Sequence, residues 1–257
     1  MRHTAYALLF EELPPSGAPR LDTIPKGVFT RSIPLTKNSP PILEHHNGKW
    51  RPLWRGRIHG VAAIAAIPAG VFLIVQANTA SAKVATSIYV ASLFALYATS
   101  ASYHLFSRSP KMQRLMQQLD HSMIFILIAG TYTPLCLLAL PWILGIPVLV
   151  AVWVAAFTGM AFKLAWRARR LTGVLYVSLG WAGVFIFPTA TQRTGFTAMT
   201  FLAIGGILYT IGATLFYYQR PRLVPHIFGY HELWHVFTVL AGITQFIGIC
   251  VIVAQSA

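Results

Sequence analysis

The chain has 257 residues, 56% of them hydrophobic and only 10% charged, with 20 Lys and Arg against six Asp and Glu. A water-soluble domain carries roughly a quarter charged residues, so this composition excludes an ordinary soluble surface and points to one membrane domain with a short tail. The net charge of +14 does not mark a nucleic-acid binder: the cations stand in short runs between apolar segments, and no compact basic domain exists to present a patch.

In chain order, residues 1–50 come first and hold Pro14, Pro15, Pro19, Pro25, Pro34, Pro40 and Pro41 among polar residues. Such a stretch cannot bury enough apolar area to offset its ordering entropy, so it reads as a flexible tail, with His45 and His46 as tail residues. It does not read as a signal peptide, because the apolar run at 5–10 is short and Glu11, Glu12, Pro14 and Pro15 follow at once. Residues 51–257 then form the membrane domain. Seven apolar segments run Ile58–Ala77, Val84–Leu105, Leu119–Leu140, Ile143–Leu164, Leu171–Ala190, Thr197–Tyr218 and Tyr230–Ala254. Each is near the ~20 residues that cross about 30 Å of hydrocarbon as a helix. Backbone groups in lipid must be satisfied internally, and the alternation of a β-barrel strand is missing, so the expected fold is all-α, a seven-transmembrane helical bundle. Cys136 and Cys250 fall inside apolar segments and read as packing residues rather than a disulfide.

Loop charges give the orientation. Arg51, Arg55 and Arg57 precede the first segment, and Arg108, Lys111 and Arg114 lie between the second and third. Arg167, Arg169 and Arg170 separate the fourth and fifth, and Arg220 and Arg222 the sixth and seventh, whereas the opposite loops offer only Lys83 and Arg193. The positive-inside rule then puts the N-terminus in the cytoplasm and the C-terminus outside.

Ionisable residues at membrane depth are expensive and ask for a reason. Beyond residue 44 the only acids are Asp120 and Glu232. Ser100 and His104 stand four apart at the end of the second segment, and His231 and His235 four apart at the start of the seventh, so each pair shares one helix face. Asp120 and His121 open the third. The end of the second segment and the starts of the third and seventh all lie on the cytoplasmic side, so these groups share one depth. Three histidines and a carboxylate converging there suit zinc, which takes imidazole nitrogen and leaves a fourth position for water. His59, His121 and His226 read as interfacial residues.

Ser100-Ala-Ser-Tyr-His104, Asp120-His121 leading into Ala129-Gly-Thr-Tyr-Thr-Pro134, and His231-Glu-Leu-Trp-His235 resemble the hemolysin III proteins, the bacterial branch of the progestin and adipoQ receptor family. The resemblance covers about residues 51–254. It implies seven helices with the N-terminus inside and zinc held by His104, His231 and His235. It further implies Asp120 contacting the metal through water and Ser100 completing the polar surround. Through the related alkaline ceramidases it also implies hydrolysis of a lipid amide, with membrane lipids as the partner, Asp120 as the proton acceptor and Ser100 orienting water or the developing oxyanion. Family members often carry a Glu and an Asn ahead of a Thr-His pair at the first helix, where this chain reads Arg55-Gly-Arg-Ile-His59, and many carry a His deeper in the last helix, where it has Gln245.

Two further readings compete. In one, the protein is receptor-like or cytolytic and zinc is a structural tie with no enzymatic activity, which direct coordination by Asp120 would favour. In the other, His231-Glu232-Leu-Trp-His235 is the H-E-x-x-H of a metalloprotease with Glu232 as base, but no third ligand follows His235. A retinal-binding pump is excluded because the last segment has no lysine. Substrate and oligomeric state are not encoded in any motif.

Overall fold

The structure is a computed structural model that describes residues 52–107, 109–165, 169–221, 223–224 and 227–256. The tail reading of residues 1–50 and the interfacial reading of His226 lie outside these residues. The described chain forms α1 (Arg57–Val75), α2 (Ala80–Phe106), α3 (Pro110–Leu138), α4 (Trp142–Ala165), α5 (Arg169–Trp181), α6 (Phe187–Tyr218) and α7 (Tyr230–Gln255), with a 3-10 helix at Ala182–Phe185 between α5 and α6. Among the described residues no strand forms, and a single isolated antiparallel bridge joins Val224 to Phe228. The fold is therefore all-helical, as the segment lengths predict.

Six of these helices, all but α5, are long and apolar enough to cross a membrane. The fifth expected segment takes a different form. Its residues make the 13-residue α5, the 3-10 turn and the first turns of α6, and the helix then kinks at Gly195, whose φ of 67° and ψ of 172° only glycine adopts readily. The apolar run Leu171–Ala190 therefore does not fold as one regular helix.

Helix starts follow local signals. The Thr79 side chain accepts the Ala82 N–H at 3.1 Å and begins α2, and Ser109 accepts the Met112 N–H at 3.2 Å with Pro110 in the first turn of α3. The latter cap sets α3 going nine residues before the apolar run at Leu119. Asp120 consequently stands nearly three turns inside α3 rather than at its start. Counting hydrophobic residues alone misses an amphipathic first section whose hydrogen bonds are already helical.

Sequence neighbours pack together as α1 on α2, α2 on α3, α3 on α4, and α6 on α7, while α7 also touches α1 and α3. Side-chain donors stitch the helices together where no water is at hand. Trp153 Nε1 donates to Thr133 Oγ1 at 3.2 Å, Tyr132 Oη to the Leu179 carbonyl at 3.0 Å, Trp181 Nε1 to Thr210 Oγ1 at 2.9 Å, and Tyr97 Oη to the Thr238 carbonyl at 3.3 Å. The core is apolar and rich in alanine, and the outward positions are large and apolar, among them Val61, Ile64 and Val75 of α1. That inversion of a soluble surface is what a hydrocarbon solvent requires. The result for the site is that α1, α2, α3 and α7 are neighbours.

Candidate metal centre

α2 carries Ser100 and His104, and α7 carries His231 and His235, each pair separated by one turn on a single face. Where the two faces meet, one ring nitrogen from each of His104, His231 and His235 lies within 4.8 Å of the other two. The Nε2 atoms of His104 and His231 are 3.2 Å apart. The three ring centroids are 4.9 to 5.0 Å from one another. His104 and His235 are buried and His231 is partly so.

This geometry fits a metal ion. Donors at the usual ~2.0–2.1 Å from tetrahedral zinc stand about 3.3 Å apart, close to the His104–His231 separation. The widest separation is larger, so an ion would draw one ring inward. The Nδ1 of His235 is buried with no hydrogen-bond partner, and an all-imidazole set has no carboxylate to absorb its donors. A buried ring nitrogen without a partner, as at His235, is costly in an apolar interior.

Asp120 is not a member of this group of mutually close atoms. It is partly buried on α3, and its carboxylate accepts a hydrogen bond from the Ser100 side chain, one turn before His104 on α2. The structure thus brings the five sequence-predicted residues into two linked arms, the histidines on one and Ser100 with Asp120 on the other, with Ser100 one turn from His104 on α2. The His121 carbonyl accepts the Tyr176 hydroxyl at 2.7 Å and joins α3 to α5.

Glu232 has a structural task that the H-E-x-x-H reading does not anticipate. It is fully buried, its Oε1 accepts from Arg55 Nε at 2.7 Å and its Oε2 accepts from the Gly229 N–H at 2.8 Å. Both carboxylate oxygens are engaged, so Glu232 is placed as a helix cap and ion-pair partner rather than as a free base. His59 also differs from its interfacial reading. It is buried, its ring stacks on His235 with centroids 4.0 Å apart and planes 21° from parallel, and its Nε2 pairs with Thr238 Oγ1 at 2.7 Å. Arg55 and His59 are the residues that motif reasoning passed over. The one local signal was the four-residue spacing that puts Arg55 and His59 one helical turn apart.

The fold and site define a multi-pass helical membrane protein with a buried three-histidine group able to hold a metal ion. Residues 48–246 match the family described as Haemolysin-III related. The chain belongs to that family. It is similar to Hemolysin-3 of Bacillus cereus, 38% identical over 190 residues, which cover 72% of this chain and 83% of the relative. It is also similar to a Hemolysin-3 homolog of Bacillus subtilis (strain 168), 36% identical over 189 residues, covering 72% and 85%.

Proposed function

We propose that the protein is a zinc-dependent intramembrane hydrolase of lipid amides, with His104, His231 and His235 holding the metal. The observation that carries this reading is the separation of the two arms. Three imidazoles form the donor group, while Asp120 is outside it and hydrogen-bonded to Ser100, so that a zinc ion held by the histidines would keep a position for water, as in catalytic rather than structural zinc sites. Zinc in such a site supplies Lewis acidity to water and to a scissile carbonyl. Asp120 accepts the proton of the attacking water and returns it to the leaving amine. Ser100 holds the Asp120 carboxylate in place and orients the water. The apolar outer faces of the helices suit a substrate that arrives from the bilayer.

The reading includes seven crossings with the N-terminus in the cytoplasm and the C-terminus outside. The one-sided loop charges support it. So does the kink at Gly195, which separates α5, the 3-10 turn and the start of α6 from the remaining length of α6 and so allows two crossings there.

The test is metal analysis and lipid-amide turnover on the purified protein, with His104→Ala, the His231→Ala/His235→Ala pair and Asp120→Asn. About one zinc per wild-type chain, lost in both histidine variants and kept in Asp120→Asn, is expected. Turnover should fall by about 10²- to 10⁴-fold in Asp120→Asn. Zinc bound with every lipid amide left intact would support instead a receptor-like or cytolytic protein with a structural metal.

A further inference from the structure

The segment Trp54–His59, leading into α1, touches both helices that carry the histidines. The Trp54 N–H donates to the Ile227 carbonyl at 3.4 Å, just ahead of α7. Arg55 Nε donates to Glu232 Oε1 at 2.7 Å. Gly56 has a φ of 82°, and a Cβ there would sit 2.7 Å from the Cβ of His104, so only glycine lets the chain pass this close to α2. His59 then stacks on His235.

Glu232 lies between His231 and His235 in the first turn of α7, with no solvent exposure. An ion pair with a fully buried carboxylate and a partly exposed guanidinium is a poor way merely to join helices, since well-packed apolar side chains hold them as firmly without desolvating a charge. What a directional pair does add is a fixed rotation and register. With one oxygen on the Gly229 N–H and the other on the guanidinium of Arg55, whose chain neighbour Gly56 passes against His104, Glu232 is held in one position, and the helix face bearing both histidines is set with it.

Building on the metal reading above, we infer that Arg55 and Glu232 are positioning residues for the three-histidine centre: their ion pair locks the start of α7 against the lead of α1 and so fixes His231 and His235 opposite His104. Supporting partners of this kind tune affinity by orienting ligands they do not replace.

The test uses the full-length protein in detergent micelles. It reads the zinc dissociation constant by chelator competition, the ligand-field spectrum with cobalt(II) in place of zinc, and the thermal midpoint of the metal-free form. Arg55→Leu leaves a buried unpaired carboxylate, and zinc should bind about 10- to 100-fold more weakly with shifted cobalt bands. Arg55→Lys, which keeps the charge, should restore most of the affinity. If Arg55→Leu does not fold, Glu232→Gln serves instead, because its amide oxygen can still accept from Gly229 while the charge is gone. A lowered midpoint with zinc affinity within about twofold of wild type and unchanged cobalt bands would overturn the inference and leave a purely structural pair. Wild-type protein that takes up neither metal would overturn the metal reading itself, whatever the variants do.

Discussion

The start of α7 and the length of α4 are both membrane-type helix, yet they use their side chains in opposite ways. In α7, Glu232 is wholly buried and His235 and Thr238 nearly so. In α4 the outward residues Trp142, Ile143, Val150, Val154 and Phe157 are apolar and exposed. Only 22% of the α4 span is buried, against 56% of α3, so α4 is a peripheral helix and α3 a central one. The difference teaches where information sits in such a protein. Apolar exposure is free in hydrocarbon and says little, whereas a polar side chain drawn inside must be held by partners, and those partners define a site.

The sharpest way to break the comparison is to empty the polar end. His235→Ala removes a donor and the ring on which His59 stacks. Bound metal should fall to background in elemental analysis, and the metal-free protein should lose on the order of 3 kcal/mol, the cost of emptying a buried ring site. Metal content that survives would mean that the three histidines are not the donor set. A smaller effect is expected one ring away. His59→Phe keeps an aromatic ring against His235 but loses the bond to Thr238 Oγ1, so stability should drop by about 1 kcal/mol in thermal unfolding while the metal stays. Loss of metal in that variant would place His59 among the ligands.

The polar end was also the legible part of the sequence. Ser100, His104, Asp120, His231 and His235 stand out because spacing puts them on helix faces and because few other polar groups compete with them. The all-helical fold follows from the length of the apolar runs. Less could be read where structure depends on what a residue meets rather than on what surrounds it in the chain. The early start of α3 came from a Ser-Pro cap that hydropathy does not register. The interrupted helix at Ala182–Phe185 lies within an apolar run whose composition is unremarkable, whereas the kink at Gly195 falls in the gap between the fifth and sixth apolar segments. Arg55 counted as a loop charge and as a departure from the family pattern, and its bond to Glu232 spans 177 positions, a distance across which no local pattern speaks.

The smallest expected effect lies at the apolar end and decides whether α4 faces lipid. Val152 and Val154 are two residues apart on α4, the first buried and the second 60% exposed. Between a membrane interior and a protein interior the transfer term nearly vanishes, so packing alone distinguishes the two sites. Val152→Ala opens a gap that protein atoms must leave unfilled, and about 1 kcal/mol of stability should be lost in detergent-solubilised unfolding. Val154→Ala opens a gap that acyl chains or detergent can fill, and its effect should stay within about 0.5 kcal/mol. Equal losses at both positions would mean that Val154 packs against protein, either a second copy or another chain, and that the outer face of α4 is an interface rather than a lipid surface.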